Sequence, residues 1–518
     1  MKIKESDLPR GWCNTSLEKI AIWGSGGTPS RNIERYFQGA IPWVKTGELG
    51  AMYIRETSER ITDEAVKNSS AKIFPKGAVG IAMYGATIGK LSIWGIDAST
   101  NQACAVGIPT EAIGNEFLYY FLLAEKRNFI KAGKGGAQPN ISQGIIKEWP
   151  INLPPLSEQH RIVAKIDELF SDLDKGVENL KTARAQLKVY RQALLKHAFE
   201  GKLTAQWRED NKDKLETAEA LLKRIQRERT TRYKQLVAEW ESAGQSPSKP
   251  KAPKPMSPLA AGELRELSEL PKGWGWFKLA ALSDISGGLT KNQKRNTLPI
   301  RRPFLRVGNV YANRLELGDM HDTGISETEI ERVTLVKGDL LIVEGNGSVD
   351  QIGRVAIWNG SIEGCVHQNH LIKARPQNLV RSEFLLYFLM SELGRKFIVR
   401  AASSTSGLHT LSISKVESLF VPLCAVEEQS ILLSELSSKL SLADQLDQTI
   451  TTALQQAEAL RQSILKKAFS GQLVPQDPHD EPAAALLARI KADRTTIEKS
   501  VTSARNARKP RKPAMDNA

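Results

Sequence analysis

Apolar residues recur at steps of three and four along two long stretches of the chain, and the second stretch repeats the first. In the first the periodic positions are Ile162, Ile166, Leu173, Leu180, Leu187 and Leu194, with Ala183, Tyr190 and Ala198 completing the stripe. In the second they are Leu432, Leu436, Ile450, Leu460 and Ile464, with Ala443, Ala453, Ala457 and Ala468 at the remaining equivalent places. The offset is 270 throughout, from Glu158–Leu203 to Glu428–Leu473. The spacing predicts one amphipathic helix of about 45 residues in each copy, roughly 65 Å long. Gly201 and Gly471, just past the last periodic residue, suit a helix stop. Such a seam needs a partner to cover it. Two like seams in one chain most simply cover each other; the alternative is that each docks on its own globular domain.

The repeat extends beyond the helices. Leu8-Pro9-Arg10-Gly11-Trp12 returns as Leu270-Pro271-Lys272-Gly273-Trp274, and Pro42-Trp43-Val44-Lys45 as Pro303-Phe304-Leu305-Arg306. Ile88-Gly89-Lys90 returns as Ile352-Gly353-Arg354, and Glu116-Phe117-Leu118 as Glu383-Phe384-Leu385. Between these anchors the copies diverge and the offset drifts. Gly-bounded segments such as Ala78–Met83 and Leu340–Val343 have strand composition, whereas Phe117–Ile130 and Phe384–Val399 have helical spacing. Each globular copy is therefore expected to be α+β around a curved, mainly antiparallel sheet. The expected order is a first domain over 1–155, a helical spacer region over 156–243 and a Pro/Lys-rich linker over 244–269. A second domain follows over 270–422, then a C-terminal helical spacer region over 423–504 and a basic tail over 505–518. The two domains are similar, and two long antiparallel coiled-coil helices separate them.

Charge changes the picture by suggesting a partner. A net charge of +14 favours a polyanion, nucleic acid before membrane. The first residues lack the apolar core of a signal peptide, and the longest apolar runs are too short to span a bilayer. The four cysteines are scattered and read as reduced thiols of a cytoplasmic protein, with no metal cage.

No enzyme motif survives inspection. Asn152-Leu153-Pro154-Pro155-Leu156 departs from an Asn-Pro-Pro-aromatic methyltransferase loop by an inserted leucine and a missing aromatic. Gly24-Ser25-Gly26-Gly27-Thr28 lacks the Gly-Lys-Ser/Thr of a nucleotide loop, which leaves a tight turn or a DNA-phosphate contact. Most of the polar clusters fall where the copies diverge, with Lys45, Lys90, Arg306 and Arg354 at the repeated anchors. In the first copy they are Lys45, Thr46 and Glu48, then Lys90, Asn101 and Gln102, then Lys134, Gln138 and Asn140. In the second they are Lys291, Asn292, Lys294 and Arg295, then Arg306 and Asn309, then Asn346 and Arg354, then His367, Gln368, Asn369 and His409. Lys and Arg on such loops would neutralise phosphates, while Asn, Gln, Arg and Glu could pair with base edges. For any one of them, a solvated surface or turn role is the competing reading.

The paired Leu-Pro-x-Gly-Trp starts, the Pro-Leu-Ser-Glu-Gln-x-x-Ile-Val run at 155–163 and the two Ala-Phe-x-Gly-x-Leu endings at 198–203 and 468–473 carry a resemblance. Over its whole length the chain resembles the specificity subunit of type I restriction-modification systems, and the run at 201–208 is similar to the enteric group. The resemblance implies two target-recognition domains, each reading half of a split, asymmetric DNA site, with the paired helices setting the spacer. It also implies a non-catalytic chain that binds no cofactor itself. Two methyltransferase subunits, carrying S-adenosylmethionine for adenine N6, and two ATP- and Mg-dependent restriction subunits would be its partners. A coiled-coil scaffold without DNA reading is the alternative.

Overall fold

In this computed structural model, residues 8–133, 140–213, 215–244, 249–250, 252–253, 259–405 and 408–492 are described. Residues 245–248, 251 and 254–258 of the Pro/Lys-rich linker and all of the basic tail lie outside them. Two 44-residue helices, Leu156–Phe199 and Val426–Phe469, occupy the two periodic stretches. Each stops as the sequence predicts. Gly201 and Gly471 take φ of +69° and +71°, a left-handed conformation that costs a residue without Cβ little. Lys202 N then bonds back to His197 O, and Gln472 N to Lys467 O.

The chain divides into two compact units, and the division falls inside both helices. One unit holds the residues up to Lys181 together with those from Thr451 onward; the other is Thr182–Ile450. Composition changes at the helix starts, but the packing does not divide there. The first unit's core joins Ile162, Ile166 and Phe170, from the start of the first helix, to Ile464, Leu465 and Ala468, from the end of the second. The other unit's core joins Leu194, Leu195, Ala198 and Phe199 to Leu432 and Leu436 in the same way. Within each unit the helix segments run antiparallel. Arg461 pairs with Asp174 in one; in the other, Arg184 lies 2.9 Å from Asp447 and Arg191 2.7 Å from Asp444.

The seam residues named above are buried or half-buried except Ala183, Tyr190 and Leu460. Leu460 is 51% exposed. After Ala457 the inward position falls four residues on, at Arg461, whose guanidinium lies 4.3 Å from the Phe170 ring centroid. Arginine covers the ring while its charge meets Asp174, so Leu460 turns outward.

The globular parts repeat one topology. In the first, Ala21–Ser25, Cys104–Pro109, Val79–Ala82 and Leu91–Trp94 lie side by side in that order, with Tyr53–Ile54 added at the edge. In the second the order is Ser283–Gly287, Leu371–Pro376, Leu340–Val343 and Val355–Ile357. A further sheet stands beside each. Ile41–Val44 pairs parallel with Ala98–Thr100 in one, and Ile300–Leu305 pairs parallel with Val366–His367 in the other. The single curved sheet expected per domain is thus divided into a main sheet and a second beside it, with smaller two- and three-stranded sheets besides. The glycine-rich stretch explains the break. A Cβ on Gly26 would stand 1.9 Å from Thr100 O, and one on Gly288 would stand 2.2 Å from His367 O, so only glycine lets the chain cross there.

The start of each long helix is tied down by a buried Glu-Gln pair. Gln159 donates to Ala112 O and Pro154 O and accepts from Gly114 N; Gln429 donates to Leu379 O and Cys424 O and accepts from Arg381 N. Glu158 accepts from the Trp12 indole at 3.0 Å and from Gln476 at 3.2 Å, and burial pushes its carboxyl above the ordinary range. Glu428 accepts from Thr204 at 2.7 Å and from the Arg208 guanidinium. Among the described residues, no helix is long and apolar enough to cross a membrane.

This difference in donors predicts a difference in cost. Glu158→Gln keeps neutral partners and should lower stability by about 1 kcal/mol. Glu428→Gln strands a largely buried arginine and should cost about 3 kcal/mol. Urea unfolding of the two variants against the parent chain measures both, and equal losses would contradict the assignment.

Candidate nucleic-acid interface

In both units the polar loops meet at one end of the strands, held by the same main-chain hydrogen bonds. In the first, Gly27 N bonds to Thr100 O (2.8 Å), Asn101 N to Val44 O (3.4 Å), Met83 N to Ala103 O (2.8 Å) and Ile141 N to Met83 O (2.8 Å). In the second, Leu289 N bonds to His367 O (2.8 Å), Gln368 N to Leu305 O (2.9 Å), Glu344 N to His370 O (2.9 Å) and Leu411 N to Glu344 O (2.7 Å). Gly89 N to Ala82 O and Gly353 N to Val343 O complete the frame. It gathers segments that are up to about a hundred residues apart in sequence.

In the first unit this end carries Lys45, Lys90, Asn101, Gln102 and Asn140. Gln102 is exposed, and its Oε1 accepts from the Thr28 hydroxyl at 2.5 Å, which leaves the Nε2 donor outward. Asn101 Oδ1 accepts from Ala103 N and shapes the turn. Lys45 pairs with Glu59 at 2.9 Å. Glu48 accepts from Lys45 N and Ser58 N, so it braces the Lys45–Thr46 loop. Lys134 and Gln138 lie outside the described residues.

In the second unit Lys291, Asn292 and Lys294 are exposed and Asn369 is half-buried. Asn346 stands directly across a strand pair from His409. Gln368 Oε1 accepts from Val307 N, and Arg306 pairs with Asp319 at 2.7 Å. The hairpin Val310–Tyr311 and Arg314–Leu315 places Tyr311 between two cations, with the Arg314 and Arg354 guanidiniums 5.0 and 5.5 Å from its ring centroid.

Three positions proposed from sequence are turned inward. His367 is fully buried and bonds through Nδ1 to Val333 O; burial pushes its imidazole down to about 3, so it is neutral and out of reach of DNA. Asn309 is buried, donating to Glu316 O and Asp319 O. Arg295 is spent on Glu329, at 2.8 and 3.0 Å, and on Thr290 O and Gly324 O. Strand position decides these fates. His367 ends a buried strand, whereas Gln368 to His370 lie in the turn after it. Sequence reasoning passed over Glu344, which reads as the end of an apolar strand. Only the hydrogen bonds set it beside His370, in the place that Met83 takes within the other unit.

Residues 9–182 and again 271–456 match the family described as the type I restriction modification DNA specificity domain. The chain belongs to that family and carries two copies of its domain. It is 26% identical to the specificity subunit of type I restriction enzyme EcoKI from Escherichia coli (strain K12), over 94% of this chain and 96% of that one. It is 25% identical to the StySPI specificity subunit from Salmonella potsdam, over 96% and 99%. A chain from a structure concerned with complex assembly and conformational transition of the type I R-M system shares the fold. Its TM-score is 0.64 at 18% identity, covering 91% of this chain and 100% of that one.

The Arg295–Glu329 pair gives a pH prediction. Its hydrogen bonds from Arg295 pull Glu329 down from the ordinary 4.5 to about 2. A depressed folded value means the pair stabilises fully above pH 4.5 and loses its contribution as pH falls towards 2. The melting temperature of Glu329→Gln should therefore lie below the parent's at pH 7, with the gap closing between pH 4.5 and 2. A gap that stays constant over that range would contradict it.

Proposed function

We propose that the chain is a non-catalytic DNA reader in which each unit's strand-end face contacts one half of a split, asymmetric site. The observation that carries this reading is the shared main-chain frame, which presents different polar side chains in the two units. One chain with two unlike faces suits two unlike half-sites, whereas a homodimer would demand a palindrome. The exposed lysines would neutralise phosphates and fix register; Gln102, Asn140, Gln368, Asn369, Asn346 and His409 would face base edges. The continuous helices would set the spacer between the half-sites. B-DNA brings like faces round about every 34–36 Å, a distance that helices of roughly 66 Å can bridge.

The chemistry is assigned to partners. Two methyltransferase subunits, using S-adenosylmethionine, would methylate adenine N6, and two restriction subunits, using ATP and Mg, would translocate and cut DNA. Their docking is assigned to the long helices and the segments that follow Gly201 and Gly471. The compartment would be the cytoplasm.

Two measurements test the reading. Duplex binding should weaken steeply between 50 and about 200 mM salt, by roughly a thousandfold if six or more phosphates are contacted; a flat response would point to a scaffold without DNA reading. Replacing residues 8–155 with the first domain of another family member should change one half-site of the methylated motif and leave the other intact. A change in both would refute one-half-per-unit reading.

A further inference from the structure

We propose that Glu344 and His370 together read an amino-bearing base, adenine or cytosine, on one strand of the second unit's half-site. The inference rests on the strand-end faces being the DNA-reading surfaces, and it names what one of them selects. His370 Nδ1 lies 2.9 Å from Glu344 Oε2, with the two side chains 56% and 31% exposed. An ionised carboxylate can only accept, so the imidazole is the donor in this bond. That fixes the tautomer of the neutral ring and leaves a lone pair on Nε2. Among the described residues, Glu344 Oε1 accepts no hydrogen bond. The pair therefore leaves two acceptors, Glu344 Oε1 and His370 Nε2.

Acceptors are unusual company for DNA. A carboxylate near phosphates is repelled, so Glu344 does not serve the DNA backbone. What a duplex offers to an acceptor is the exocyclic amino group of adenine or cytosine in the major groove. Thymine and guanine present a carbonyl at the same place and would face Glu344 oxygen to oxygen. Asn346 lies two residues beyond Glu344 with His409 opposite it, so amide and imidazole groups flank the dyad.

The first unit supplies the comparison. The two main-chain hydrogen bonds that position Glu344 are made there by Met83, with Ala103 in place of His370 and Ile141 in place of Leu411. The frame is the same, but the acceptor pair is replaced by an apolar side chain and a methyl group. At this point the two units demand different bases.

The test is selection of bound duplexes from a random-sequence pool by the purified full-length chain, its Glu344→Gln variant and its His370→Ala variant. The parent should enrich a split motif with adenine or cytosine preferred at one position of one part. Both variants should lose that preference by about tenfold while the other part of the motif is unchanged; the unchanged part shows that the chain is folded. Loss of preference in both parts of the motif would overturn the inference. So would an unaltered motif in both variants, or weakening that is uniform across all sequences, which marks a merely structural pair. If the parent enriches no split motif, the proposed function itself fails, and the inference goes with it.

Discussion

The structure depends on how a buried carboxylate is satisfied at the start of each long helix. Glu158 and Glu428 are almost wholly excluded from solvent, where an unpaired carboxylate would cost several kcal/mol. Each is satisfied by groups brought from the far end of the other helix: Gln476 follows the second helix, and Thr204 and Arg208 follow the first. The neighbouring glutamine in each case binds the loops of the globular part. Each unit thus closes only when three separate stretches of chain arrive together. That is why the compact units divide in the middle of both helices.

Between these anchored ends the helices are held more thinly. Leu173 and Leu180 are half-buried, and Val189, Leu442 and Leu446 stand exposed. Beside the buried Leu187, Ala443 and Ile450, the pairs Arg184–Asp447 and Arg191–Asp444 cross between the helices there, and exposed pairs of this kind contribute only about 0–1 kcal/mol each. Most of the stability therefore lies at the helix ends, where Phe199 packs on Phe384 and Phe388, and Phe469 on Phe117 and Phe121. The middle is left largely exposed.

The helices, their stops and the duplication were legible because they are written in local period and in repeated anchors. Less of the candidate face could be read. The polar loops were found, yet His367, Asn309 and Arg295 were counted among base readers when their side chains are used internally. Nothing in the local sequence separates His367 from His370; the pairing of Val366–His367 beside Ile300–Leu305 does. Leu460 was misplaced for a related reason. A strict step from Ala457 favours a leucine, but Phe170 offers an aromatic face that an arginine covers while reaching Asp174. In each case the deciding partner lies far along the chain.

A fold that must read different sequences while staying stable has to keep the two demands on separate atoms. Here the main chain meets one and the side chains the other. The hydrogen bonds that hold the strand-end loops run between backbone groups, so exchanging Met83 for Glu344, or Ala103 for His370, breaks none of them. The two glycine crossings, at Gly26 and Gly288, let backbones approach more closely than any side chain would allow, which fixes the loops from behind. Side chains in front are then free to vary in charge and hydrogen-bonding sense at little cost to the core. The same separation accounts for the drift in offset between the copies, because length can change in any loop that leaves the shared bonds in place.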